Sequence, residues 1–284
     1  MELIRSIEKM TARSRKALEQ KKKIGFVPTM GSLHAGHLSL VRRAKKECDL
    51  VVVSIFVNPS QFGPKEDFAA YPRNLKEDSR LLETVKADIL FYPQAAAVYP
   101  ANYRTYVQIE GRLTNKLCGF YRPEHFKGVT TIVAKLFNMV LPHRAYFGQK
   151  DAQQCVVLKK MAAELNFPVK VITLPTVREK DGLALSSRNK YLSPEERRQA
   201  PVLYQALRLA KKMIERGERN IFKVEKVMKN HLASIKNLKI QYASVVDGET
   251  LESGKIVSGN ILIAIAAILG KTRLIDNLIL KVKK

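Results

Sequence analysis

Short apolar runs alternate with amphipathic stretches through the first 175 residues. IGFVP (24–28) is a brief apolar run that opens into a loop, after which Val41, Ala44 and Cys48 recur on one helical face. LVVVSIFV (50–57) is nearly continuous and β-branched, the pattern of a strand buried on both faces of a parallel sheet. The pattern predicts a helix over 74–86, a strand at DILFY (88–92), a helix near 129–140 and a short strand at RAYFG (144–148). A helix over 151–165 and the strand VKVITL (169–174) complete the series. Alternation at these lengths implies an α/β domain, a Rossmann-like doubly wound parallel sheet over residues 1–175.

Beyond Pro175 the texture changes. Ser193 precedes Pro194-Glu195-Glu196, a hydroxyl cap followed by proline and acids, and predicts a long helix over 194–216. A second helix over 221–236 leads to the strands IQYASVV (240–246) and ILIAIAAI (261–268). The expected second domain, 176–284, is a smaller α+β module.

Composition narrows the class. A chain of 284 residues buries enough surface to dispense with disulfides and structural metals. Three cysteines, Cys48, Cys118 and Cys155, form no C-x-x-C pair and fit a reducing compartment. The N-terminus lacks the apolar run of a signal peptide, and the longest apolar run, Ile261 to Leu269, is too short to span a bilayer. A cytoplasmic location without membrane attachment is the expectation.

Net charge is the unusual quantity, +24. It raises the prospect of polyanionic partners, either nucleic acid or phosphorylated small molecules. The excess is spread along the chain, however, and only Lys21-Lys22-Lys23 and the terminal KVKK form runs. Such short runs are read as solvated faces and ends. No specific nucleic-acid partner is expected.

The chemistry concentrates in two segments. The first is Pro28-Thr29-Met30-Gly31-Ser32-Leu33-His34-Ala35-Gly36-His37, where a strand gives way to a helix. Two imidazoles three residues apart at a helix N-terminus suit a phosphate, because the dipole and the terminal N–H groups favour negative charge. Gly36 permits close approach, and His34 and His37 can donate to charge developing on a phosphoryl group. Neither a P-loop lysine motif nor G-x-G-x-x-G is present. The second segment is Leu183-Ala184-Leu185-Ser186-Ser187-Arg188-Asn189, two hydroxyls and an arginine able to clamp phosphates. Together they match the two-signature layout of the HxGH nucleotidylyltransferase superfamily, which resembles class I aminoacyl-tRNA synthetases and their relatives.

A closer match follows from PTMGSLHAGH, VVVSIFVNPSQF, YPR, RPEHFKGV, FGQKDAQQ, DGLALSSRN and RLIDN, in this order over about residues 24–278. By these motifs the chain resembles the pantothenate synthetase (pantoate–β-alanine ligase) family. The resemblance implies ATP-dependent condensation of pantoate with β-alanine through pantoyl adenylate, releasing AMP and pyrophosphate. It implies ATP along Met30, Gly31, Ser32, Leu33, His34, Ala35, Gly36 and His37, with adenine and ribose near Gly148, Asp151 and Val177. Gln149 and Leu185 would belong to the same ATP-binding set, while Lys150, Ser186, Ser187 and Arg188 would hold phosphates. Gln61 and Gln154 would bind pantoate, and His37 would be the proton donor. His34, His37 and Lys150 are thus the expected catalytic set. Mg²⁺ would accompany the phosphates, with no protein ligand named. A homodimer is implied, and the second domain would act as a lid.

The residue chemistry is consistent with these roles. Neutral amides can fix a hydroxylated acid without neutralising its nucleophilic carboxylate, and Lys150 offers a point charge. Arg122 and His125 read equally as a substrate gate or a structural loop, Tyr71 reads as packing, and His143 and His231 read as structural or exposed. The chain departs from the family's frequent F-G-E-K-D at Gln149, which removes a charge beside Lys150. It also contains no Trp, a difference expected to affect packing only. The rival readings are another nucleotidylyltransferase, which would bind a second phosphate and not need the paired glutamines, and a basic nucleic-acid-binding protein.

Overall fold

Six apolar runs pair side by side, all parallel. They are β1 (Glu2–Ile4), β2 (Ile24–Thr29), β3 (Leu50–Ile55), β4 (Ile89–Phe91), β5 (Arg144–Gly148) and β6 (Lys170–Leu174), in the order β1-β4-β3-β2-β5-β6. This computed structural model describes residues 1–64 and 66–282. The solvated end expected of the KVKK run falls partly on Lys283 and Lys284, which lie outside the described residues.

Every residue of β3 is buried, as a strand covered on both faces requires. Five helices of ten residues or more accompany the sheet: α1 (Ile7–Glu19), α2 (Ala35–Glu47), α3 (Leu75–Thr84), α4 (His125–Val140) and α5 (Ala152–Glu164). Val27, Val51, Val53, Leu90 and Tyr146 share one core with the apolar residues of α2 and α3. Helices α1 and α4 pack on each other and on β2. The sheet is therefore doubly wound. From β2 the chain builds outward through β3 and β4, then returns to the other side of β2 with β5 and β6. This reversal puts the topological switch point at the carboxyl ends of β2 and β5, where such sheets bind ligands.

The chain divides into two compact units: Met1–Glu110, Arg122–Gly148 and Val157–Pro175 form the first, and Gly111–Tyr121, Gln149–Val156 and Thr176–Lys284 the second. The second unit contains an antiparallel sheet of β7 (Leu238–Asp247), β8 (Gly259–Leu269) and β9 (Thr272–Val282), in that order. Helices α6 (Val202–Glu215) and α7 (Ile221–Leu232) share a core with it, built on Leu203, Leu207, Val224, Met228, Ile263 and Ile265.

The helix expected over 194–216 is broken. A short helix, Pro194–Gln199, ends before Pro201, and α6 begins at Val202. Proline has no N–H to continue the ladder and its ring crowds the preceding turn. The Ser193 cap forms as expected, accepting from Glu196 N while the Glu196 side chain accepts from Ser193 N. Strand β9 is absent from the sequence expectation, because Asp276 and Asn277 interrupt its apolar pattern.

Candidate active site

In the first unit the site begins where β2 ends. Thr29 Oγ1 donates to Ser54 O at 2.8 Å and accepts from Gly31 N at 3.2 Å. Gly31 (φ 81°) and Ser32 (φ 49°) then turn the chain through the left-handed region. A side chain at Gly31 would place its Cβ 3.0 Å from both Asp78 Oδ2 and Ile55 Cγ2, so conformation and space both favour glycine. Asp78, on α3 and 2% exposed, accepts from Ser32 N at 2.9 Å and Leu33 N at 2.7 Å. Nothing in the sequence singles it out, since its partners lie 46 and 45 residues away.

His34 is the N-cap of α2. Its Nδ1 accepts from Gly36 N at 3.1 Å, and His37 Nδ1 accepts from His34 N at 3.4 Å, forming a capping box of two imidazoles. The ring centroids are 4.1 Å apart. With Nδ1 accepting in both rings, the neutral tautomer carries its proton on Nε2. The backbone N–H groups of Ser32, Leu33, His34 and Gly36 are thus occupied by side chains. Each neutral imidazole then has its N–H donor at Nε2.

Gln61 is tied to the same segment: its Nε2 donates to Met30 Sδ at 3.1 Å, and its Oε1 accepts from Asn58 Nδ2 at 3.1 Å. Asn58 is 1% exposed and also donates to Gly128 O at 3.0 Å, while its Oδ1 accepts from the Ser60 and Tyr99 hydroxyls, each at 2.9 Å. Gly128 lets α4 approach this loop, for a Cβ there would meet Ser60 O at 2.2 Å. His125 Nδ1 donates to Gln61 O at 2.9 Å, leaving Nε2 to accept from Arg122 at 3.0 Å. Arg122 is also paired with both oxygens of Glu66. Arg122 and His125 therefore brace the Gln61 loop. Tyr71 is buried and packs edge-on against Phe62. His143 Nδ1 accepts from Ile24 N, and His231 lies 3.4 Å from Gln205 Oε1.

A cavity of about 280 Å³ in this unit is lined by Met30, Gly31, Ile55, Arg73, Asp78 and Tyr92, among others. Of the expected site residues, Met30 and Gly31 stand on its wall.

In the second unit, Gln149–Asp151 forms a single 3-10 turn, and Lys150 Nζ lies 3.8 Å from Asp151. Gln154 is half-buried on α5. Its neighbour Gln153 is occupied structurally, accepting from Cys118 N and donating to Leu113 O and Lys116 O. Val177 and Leu185 are brought together, Leu185 N donating to Val177 O at 3.0 Å. Ser186 caps the 3-10 helix Ser187–Tyr191 by accepting from Arg188 N at 3.3 Å. Asp276 is 3% exposed; burial pushes its carboxyl up, against the pull of the paired Arg178 guanidinium.

Among the described residues, no group of three or more His, Cys, Asp or Glu side chains could hold a metal ion, and no helix is long and apolar enough to cross a membrane. The three thiols are buried and outside any disulfide.

A doubly wound parallel sheet with an imidazole pair at its switch point, accompanied by an α+β module, defines the class as a Rossmann-like α/β protein. The sequence model of the pantoate-beta-alanine ligase family matches residues 2–279. The chain belongs to this family and is an enzyme. It is 54% identical over 280 residues to pantothenate synthetase of Thermotoga neapolitana, covering 99% of this chain and 100% of that one. Pantothenate synthetase from Thermus thermophilus superposes with a TM-score of 0.93 at 44% identity, covering 98% and 99% of the two chains. Pantoate-beta-alanine ligase from Francisella tularensis, solved with beta-gamma ATP and beta-alanine, gives 0.79 at 35% identity, covering 98% and 97%.

Proposed function

We propose that the enzyme condenses pantoate with β-alanine through a pantoyl adenylate. The pantoate carboxylate attacks the α-phosphorus of ATP and pyrophosphate departs. The β-alanine amine then attacks the acyl carbon, AMP leaves, and pantothenate is formed. The observation that supports this reading is the imidazole capping box at the start of α2, which puts the proton of each neutral ring on Nε2, a donor type suited to developing negative charge. Met30 to His37 form the first ATP segment. Gly148, Gln149, Lys150, Asp151, Val177, Leu185, Ser186, Ser187 and Arg188 supply the remaining ATP contacts, with Lys150 a point charge on the phosphates. Gln61 and Gln154 bind pantoate, and Gln61 does so from a braced loop.

Magnesium enters as part of the Mg–ATP substrate. No protein ligand is assigned to it; both Asp78 oxygens accept backbone N–H groups and so brace the turn. A cytoplasmic homodimer and a lid role for the second unit belong to the same reading.

The test is pyrophosphate release from Mg–ATP with pantoate, with and without β-alanine. Pantoate-dependent release, with AMP and pantothenate appearing only after β-alanine is added, is the expected result. No release from folded protein would move the function to another nucleotidyl transfer and remove the glutamine assignments.

A further inference from the structure

Asn277 lies in the middle of β9 and is 3% exposed. A buried amide in a strand is costly unless its donors and acceptor are all used. Here its Nδ2 donates to Gln149 O and to Lys150 O, both at 2.9 Å, and its Oδ1 accepts from Gln149 Nε2 at 3.2 Å. The adjacent Asp276 forms a two-point pair with Arg178, at 2.6 and 2.8 Å. Arg178 also donates to Gly182 O and Asn277 O, and its guanidinium lies 4.0 Å from the Tyr204 ring centroid. The dipeptide therefore ties the Lys150 turn to the 178–182 turn that precedes Leu185–Arg188.

We infer that Asn277 is a positioning residue for ATP, fixing the backbone from which Lys150 reaches the phosphates. Its amide is matched to Gln149, whose side chain supplies the donor that completes it. The inference rests on the assignment of Lys150 to ATP.

A double-mutant cycle tests it, using kcat/KM for ATP in pantothenate formation. Lys150→Ala and Asn277→Ala are each expected to lower this value by about 10- to 100-fold, as misplacement of a contacting group does. In the Lys150→Ala background, Asn277→Ala should cost less than about three-fold. An equal cost in both backgrounds would make Asn277 a structural pin and overturn the inference. An unchanged value for Lys150→Ala would instead remove the Lys150 assignment itself. If Asn277→Ala does not fold, Asn277→Leu, which keeps the branching at Cγ and removes the amide, carries the same cycle.

Discussion

The two segments proposed to hold ATP, the imidazole pair and the Lys150 turn, are held in different ways. The imidazole pair is fixed largely within its own strand-to-helix junction, because each ring accepts an N–H group from within three residues. The Lys150 turn is held by an amide 127 residues further along the chain. The first arrangement uses near neighbours in the chain, whereas the second depends on a residue of β9. Difference in sequence separation therefore becomes difference in vulnerability: substitutions in β9 should disturb the second segment and leave the imidazole pair in place.

The largest expected effect is that of Asp276→Ala, which leaves the Arg178 charge buried without its partner. A loss of about 3–5 kcal/mol is expected, measured by denaturant unfolding. Hydrogen exchange should quicken at 149–156 and 178–188 while 29–37 keeps its protection; equal loosening of both segments would break the contrast. Next, His37→Ala should lower kcat by about 100-fold, roughly 3 kcal/mol of transition-state stabilisation, with ATP affinity little changed. A collapse of ATP affinity at normal turnover would make His37 a binding residue.

Asp78→Asn sharpens the comparison from the other side, since this carboxylate braces the first segment from 46 residues away. One of its two N–H partners loses an acceptor, for an expected cost of about 1–3 kcal/mol. No change in unfolding midpoint would show that the junction holds itself. The smallest effect concerns acid. Burial acts to raise the Glu47 carboxyl, but hydrogen bonds from Arg43, Tyr146 and Arg144 outweigh it and hold the group at about 2, below its ordinary 4.5. Its contribution is therefore present above pH 4.5 and lost as pH falls towards 2. The stability gap between the parent protein and Glu47→Gln should close over that range, and a constant gap would exclude the linkage.

Much of the parallel sheet is legible in the sequence because its strands are continuous apolar runs; RAYFG at 144–148 matches β5 to the residue. The capping imidazoles are legible as a helix-terminal motif. Asp78 and Asn58 are not, because their roles exist only through partners distant in sequence. The break at Pro201 has a local signal in the proline itself, yet the surrounding helical periodicity runs through it and masks the interruption.

By itself the sequence determined the alternation of strands and helices, the His34–His37 pair and the family motifs, all of which depend on near neighbours and side-chain type. Only the tertiary structure decided that Asp78 would brace the first turn, that Arg122 and His125 would hold Gln61, and that Asn277 would hold the Lys150 turn. Hydrogen bonds require atoms within about 3 Å, and for residues far apart in the chain that proximity is created by packing.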